Sequence, residues 1–403
     1  VGGVGTAAIT DLVAAVRGHR GRVAVMCGTG VTMARHGVVA EWLRWVILIL
    51  SGSVDRAGGM RANRGVINRL RPPRADRAAS PSRPGPESRP ELPRVIGQLP
   101  IVAMVDEIEA GRLRALVVAG GNPITAFPQP DRLRAALARL DVLAVIDVAE
   151  NELTGLATHV LPATGQLERA DLTLAELTAV RSGMQFTPAV VAPVGARRPT
   201  WWILASVAQR MGCEMLGGAA PDQLTDTDVL RGLLTHSPIP VDEVLAAGPR
   251  GIDVPHEYGW VHDELLPDGQ WNVAPRVMLE QLPTWTPPAA ALVLTPRRSM
   301  AWSNSVRYGP GDDGPRAHLN PDDALDAGVH DGEPIQLMSA HGTVLVTATV
   351  DDRVRTGTVS MTHGHPARSP GALVSSAVDV DPLTAMPLAS GVPVTIAAAP
   401  GLG

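Results

Sequence analysis

Val117–Thr125 reads VVAGGNPIT, an apolar run that stops at two glycines followed by Asn122 and Pro123. Paired glycines let a backbone approach a ligand closely. A proline in the first turn of the next helix sets that helix's free N–H groups toward an anion. The stretch lacks the G-x-G-x-x-G spacing of a dinucleotide fingerprint, so a phosphate cradle competes with an ordinary strand-to-helix turn made of the same residue types. Gly28, Thr29 and Gly30 break another apolar run in a similar way. Asp147 closes a third run, where a carboxylate can accept from a ribose hydroxyl or cap the following helix. Arg298 carries a guanidinium fork that suits phosphate. Ser303, Asn304 and Ser305 form a polar triplet, either a hydrogen-bonding edge or a plain solvent turn. His363 and His365 stand two apart without a third ligand beside them, a poor metal site. Neither G-x-S-x-G nor H-E-x-x-H occurs.

The elements that must position these residues follow from periodicity. Val23–Met26 reads as a short buried strand ahead of Gly28, after a helix that Thr10 or Asp11 would cap and that ends near Gly18. A helix from about Gly37 to Leu50 follows. Arg71–Arg94 is dense in proline and arginine, which blocks helix and predicts a solvated loop or linker. From Leu99 strands alternate with helices: helix 102–110, strand 115–119, helix 130–140, strand 142–147, helix 150–157, strand 159–162. That rhythm predicts a doubly wound parallel sheet, Rossmann-like, with ligands at the carboxyl ends of its strands. Residues 166–285 are less regular, with a helix near Trp201–Met211. From Ala289 the texture is β, at 292–294, 334–339, 343–350 and 358–362, and reads as a compact barrel. Asp312-Asp313 and Asp322-Asp323 are read as exposed turns, and Trp201-Trp202 as core.

Composition narrows the function. A net charge of −5 over 403 residues argues against a nucleic-acid partner. All the basic residues are arginine, which excludes a P-loop or Schiff-base lysine. Two isolated cysteines, Cys27 and Cys213, suit a reduced cytoplasmic protein, and no signal peptide is visible. The most apolar segment, Trp42–Leu50, contains Arg44 and is too short to span a bilayer.

The order of motifs resembles the molybdopterin oxidoreductases of the dimethyl-sulfoxide-reductase class, which hold molybdenum on two molybdopterin guanine dinucleotides. Leu50–Met60 (LSGSVDRAGGM) resembles that family's L-T-G-N-[LI]-D-R-P-G-G segment. Arg114–Phe127 resembles its strand and G-x-N-P turn, and Leu140–Pro162 the next two strands. Gln166–Thr173 (QLERADLT) resembles the turn that carries a glutamate, here Glu168. Leu294–Ser305, His318–Gly332, Val354–Val359, Met361–Pro366 and Asp381–Thr384 resemble successive segments of its dinucleotide-binding domain. Together these motifs run from about residue 20 to 396.

The resemblance implies an α/β domain over 1–285, including the loop 71–94 and the segment 166–285. A double-psi-like β-barrel domain that binds molybdopterin dinucleotide would follow over 286–403. It implies a molybdopterin guanine dinucleotide cofactor bearing molybdenum. Gly120, Gly121, Asn122 and Pro123 would meet its diphosphate, Asp147 guanine or ribose, and Gly28, Thr29 and Gly30 the second nucleotide or the cleft. Arg298 would pair with phosphate, Ser303, Asn304 and Ser305 with the pterin edges, and His363 would neighbour the pterin. The family's four-cysteine iron–sulfur motif and its molybdenum ligand lie in an N-terminal region not represented in these residues. Cys27 falls downstream of where that ligand would stand. The chain therefore reads as the C-terminal portion of a longer or split gene. Its expected partners are a small-molecule substrate and an N-terminal half or electron-transfer subunit. The alternative is a truncated, non-catalytic homologue that binds cofactor or serves a structural role.

Overall fold

The computed structural model describes residues 4–67, 85–94, 97–174, 182–266, 268–284, 292–298, 302–303, 306–307, 314–365 and 368–399. Chain order begins with α1 (Thr6–Gly18), an extended stretch at 22–28 and α2 (Gly37–Leu50). The strand expected at Val23–Met26 is extended but joins no ladder. The amides of Ala24, Val25, Met26 and Cys27 bond to nothing among the described residues, while the Val25 carbonyl accepts from Arg44 Nη1 at 3.0 Å. A β-strand is defined by its partner, and here the partner is missing. Helix α1 shows the same gap: Ile9, Leu12 and Val13 share one face by their helical spacing, yet no residue of α1 is buried.

Three parallel strands follow, β1 (Ala115–Ala119), β2 (Val142–Asp147) and β3 (His159–Pro162), in the spatial order β1–β2–β3. Strand β2 is central and buried along Leu143–Ile146, as a continuous apolar run requires. On one face Leu143 and Val145 pack against α3 (Met104–Glu109), α4 (Pro123–Ala126), α5 (Pro130–Leu137) and α6 (Glu152–Leu156) through Ile108, Ile124, Leu133 and Leu153. On the other, Ile146 meets Ile203 of α7 (Thr200–Arg210). Each fully buried Leu or Ile contributes roughly 1.5–3 kcal/mol. Helices thus cover both faces. The order of these three strands does not reverse, so the reversal of a doubly wound sheet is not found among them.

The C-terminal β region is a closed barrel of β4 (Leu292–Arg297), β5 (Arg316–Leu319), β6 (Pro334–Met338), β7 (Thr343–Val350), β8 (Thr358–Thr362) and β9 (Val392–Ala398), in the ring order β5–β7–β6–β9–β4–β8. Alternate residues, among them Leu294, Ala317, Leu319, Leu337, Val346, Val359 and Met361, fill its interior. Asp322 and Asp323, expected in an exposed turn, instead open the helix α8 (Pro321–Asp326). There Asp323 is buried and accepts from the Gly357 amide at 2.7 Å. Most of the Pro/Arg-rich stretch, and Asp312-Asp313, lie outside the described residues. Arg89, within the described part, is not a solvated loop residue. It pairs with Asp106 at 3.3 Å and donates to the carbonyls of Ser376 and Ala377 at 3.2 Å each.

Barrel and sheet meet backbone to backbone. Ser369 Oγ donates to Thr125 O at 2.8 Å, and the Gln129 amide to Gly371 O at 2.9 Å. A Cβ on Gly371 would stand 2.5 Å from the Phe127 carbonyl oxygen. Gly371→Ala should therefore force the two halves apart and cost about 1–3 kcal/mol, read as a fall in the urea midpoint. An unchanged midpoint would show that the junction yields freely.

Candidate functional site

The turn after β1 is built as its residue types suggest. Gly120 and Gly121 take φ of +71° and +77°, a region costly for any side-chain-bearing residue, and both are exposed. The Asn122 side chain caps α4, its Oδ1 accepting from the Ile124 amide at 3.0 Å, and Pro123 occupies the first helical position. Asp147 stands beside this turn, since Ala119 pairs with Ile146 and the Gly120 amide donates to Ile146 O at 2.8 Å. Its carboxylate accepts from the Val148 amide at 2.7 Å and from Asn151 Nδ2 at 2.9 Å. Asn151, not Asp147, is the cap of α6. Asp147 braces that cap from behind.

A second group converges where the barrel meets the sheet. A cavity of about 260 Å³ is walled by Thr29, Gly30, Arg297, Arg298 and His363, with Thr125 and Ala126 from the end of α4. Gly28 caps the single helical turn Thr29–Thr32, and the Ser390 amide donates to Met33 O at 3.2 Å, which ties that turn to the barrel. His363 Nδ1 lies 3.2 Å from the Arg297 carbonyl, so Nδ1 carries the proton and Nε2 is the free ring nitrogen. Arg297 is half-buried, and its guanidinium has no hydrogen bond or ion pair among the described residues.

Thr29, Gly30, Arg298 and His363 thus line one cavity, with Gly28 beside it as the cap of Thr29–Thr32. Gly120, Gly121, Asn122, Pro123 and Asp147 form a separate group at the sheet's carboxyl edge. The two groups are linked by α4, whose four residues span roughly 6 Å. The Ser303 backbone pairs with Val306, but its side chain lies outside the described residues, as do Asn304 and Ser305. Arg297, Thr125, Ser369 and Gly371 were missed by sequence reasoning. Only Arg297 had a signal: alternation along β4 puts it on the same side as Thr295, away from Leu294 in the core.

The remaining candidates are structural. Glu168 is buried and accepts from the Gly165 amide at 2.7 Å, from the Val194 amide at 3.3 Å and from Arg197 at 2.8 Å. Trp201 and Trp202 donate their indole N–H groups to Asp226 and Asp222. Burial, followed by the nearby Glu41 carboxylate, pushes the Cys27 thiol up from its ordinary value, away from the thiolate that a metal needs. The LSGSVDRAGGM segment is strapped to the irregular region. Asp55, at φ +50°, holds the Gly259 amide through its carbonyl and the Val261 amide through its carboxylate. Arg64 pairs with Glu257 at 3.0 Å and with Glu264, and stacks 4.7 Å above the Trp260 ring. Among the described residues no group of three or more His, Cys, Asp or Glu is placed to hold a metal ion.

Comparison with known proteins identifies the family. Residues 12–210 match the family model for molybdopterin oxidoreductase, and residues 292–393 the model for the molybdopterin dinucleotide binding domain. The chain is 24% identical over 404 aligned residues to the F420-dependent formate dehydrogenase subunit alpha of Methanocaldococcus jannaschii, covering 91% of this chain and 57% of that protein. It is 28% identical over 113 residues to a nitrate reductase of Shewanella frigidimarina, which is 28% of this chain and 12% of that protein. The acetylene hydratase of Pelobacter acetylenicus shares the fold, with a TM-score of 0.61 and 16% identity over 74% of this chain and 46% of that one. The chain thus corresponds to only a part of each of these proteins.

Amide donors, then burial, then Arg197 decide the Glu168 carboxyl, and the net result lies below its ordinary value. A depressed carboxyl stabilises the fold above the unfolded pKa, about 4.3, and loses that contribution as pH falls through the folded value. Glu168→Gln should lower the Tm at pH 7, with the gap to the unmodified protein closing as pH drops below about 4. A gap that is constant with pH would mean that the charge is not what the site uses.

Proposed function

The chain belongs to the molybdopterin oxidoreductase family, and we propose that it is the part of such an enzyme that holds molybdopterin guanine dinucleotide. Arg297 carries the reading: a half-buried residue whose guanidinium has no acceptor among the described residues, beside Arg298, offers donors that an anionic ligand would satisfy, while the Nε2 of His363 is open to accept from a ligand N–H. Gly120 and Gly121 leave a backbone open to close approach, next to the N-terminus of α4. In this reading Arg297 and Arg298 hold phosphate, Gly120–Pro123 the diphosphate, Asp147 a ribose hydroxyl or guanine N–H, and Thr29, Gly30 and His363 the pterin side. Ser303, Asn304 and Ser305 extend that side. When bound, the molybdenum would supply two-electron or oxygen-atom chemistry, which the chain orients and shields from water.

The same reading divides the chain near residue 285 into a doubly wound α/β domain and a double-psi-like barrel. The first barrel strand, which begins at Leu292, supports that boundary. Two free cysteines support a reducing, cytoplasmic setting, and no described helix is long and apolar enough to cross a membrane. A partner polypeptide, either an N-terminal half or an electron-transfer subunit, is supported by the unpaired amides of Ala24–Cys27 and the exposed face of α1. On assembly, amide exchange at Ala24–Cys27 should slow while β2 is unchanged; equal exchange with and without partner would sink that part. The second, alternative reading is cofactor holding without turnover. Iron–sulfur chemistry would then belong wholly to a partner.

Protein made in a host that synthesises the cofactor should release guanine nucleotide and molybdenum on denaturation. Arg297→Gln should reduce nucleotide occupancy by about tenfold or more, the loss expected for a charge-assisted hydrogen bond, and His363→Ala by about fivefold, the loss expected for a neutral one. Folded protein with neither nucleotide nor molybdenum would overturn the proposal. Full occupancy without turnover, in the presence of the partner, would select the second reading.

A further inference from the structure

The outer wall of the barrel carries a second cationic cavity, about 430 Å³, which shares only Pro296 and Arg297 with the cofactor cavity. In the strand series β7–β5–β8–β4, ladder pairing puts Thr349, His318, Ser360 and Thr295 in one register row. Their neighbours Leu319, Val359 and Leu294 point into the core, so this row points out. At about 4.8 Å between strands the row is roughly 14 Å long. The turn after β7 brings arginines over it. Asp351, buried, takes Arg353 by two bonds, Nε to Oδ1 at 2.8 Å and Nη2 to Oδ2 at 3.0 Å, and also holds His318 Nδ1 at 3.2 Å. Asp351 thus fixes Arg353 in place and is itself fully engaged.

Arg355 and Arg297 line the same cavity without any carboxylate partner among the described residues. Three guanidiniums face the Asp351 carboxylate, and Asp352 beside it also acts on Arg353, which leaves a local charge of about +1 on a chain whose net charge is −5. Thr295, Thr358 and Ser360 add hydroxyl donors. One carboxylate has too few acceptors for two free guanidinium forks and three hydroxyls, whereas linked phosphoryl groups have enough. We propose that this wall is a second oxyanion site, adjoining the cofactor cavity at Arg297, that takes a small molecule bearing a diphosphate.

The proposal stands on the barrel alone and survives failure of the cofactor reading. Inorganic pyrophosphate, titrated calorimetrically at fixed ionic strength, is the probe. Arg355→Gln and Thr358→Val, both at the protein surface, should each weaken binding, the first by about tenfold or more, while Arg298→Gln leaves it within about twofold. Thermal melts of each variant check folding. Absence of saturable binding, an Arg355→Gln affinity equal to that of the unmodified protein, loss confined to Arg298→Gln, or binding of poly-glutamate without pyrophosphate would each overturn it.

Discussion

Two short backbone stretches, Thr125–Gln129 and Ser369–Gly371, fix the relative position of everything that matters for binding. The Ser369–Thr125 bond is buried and the Gln129–Gly371 bond partly so, and a buried donor or acceptor left unmade costs about 1–3 kcal/mol, so the pair tolerates little sliding. Gln129 sits at φ +55°, a conformation that a non-glycine residue keeps only when its surroundings demand it. Its amide is committed to Gly371, and its Oε1 accepts from Ser376 Oγ at 2.9 Å. From this contact follow the position of α4 against the ends of β4 and β8, and hence the distance between the glycine turn and the arginines. Arg132 and Arg89 reinforce it, each reaching from the α/β side to the segment 376–377.

Strands with a clean pattern were legible to the residue. Ala115–Ala119, Val142–Asp147, His159–Pro162, Thr343–Val350 and Thr358–Thr362 begin and end where the alternation or the apolar run does. The strands Arg316–Leu319 and Val392–Ala398 were not anticipated. The first is a four-residue segment with two strongly polar members, and the second carries Pro393, which reads locally as a break. Val23–Met26 failed in the opposite way. Its composition is that of a buried strand, but pairing depends on a neighbour that no local pattern can supply.

At the site, sequence identified residue types better than groupings. Gly120 and Gly121 were readable because a positive φ selects glycine, and Asn122-Pro123 because capping is local. Which distant residues share a wall was not readable. Thr29, Thr125, Arg297 and His363 meet only through the barrel's parallel β4–β8 pairing and the junction at Gly371. Asp147 shows the limit of a type-based argument. The acid at the strand end is there, but it already holds Asn151, so any ligand would share it with the α6 cap.

The placement of Arg297 has an energetic consequence for the whole fold. Partial burial of a guanidinium costs free energy unless an acceptor compensates it. Several arginines withdrawn from solvent have theirs: Arg44 has Glu41, Arg132 has Asp106 at 2.6 Å, and Arg134 has Glu152 at 2.7 Å. Arg297 has no such partner among the described residues, and half-buried Arg94 has only the Gly97 carbonyl, at 3.4 Å, in a chain with an excess of carboxylates. An anion in the cavity would supply the missing acceptor. Because the walls come from both the barrel and the α/β part, that anion would bond to both sides at once. Ligand binding and junction stability would then be linked by mass action, each strengthening the other as the site fills.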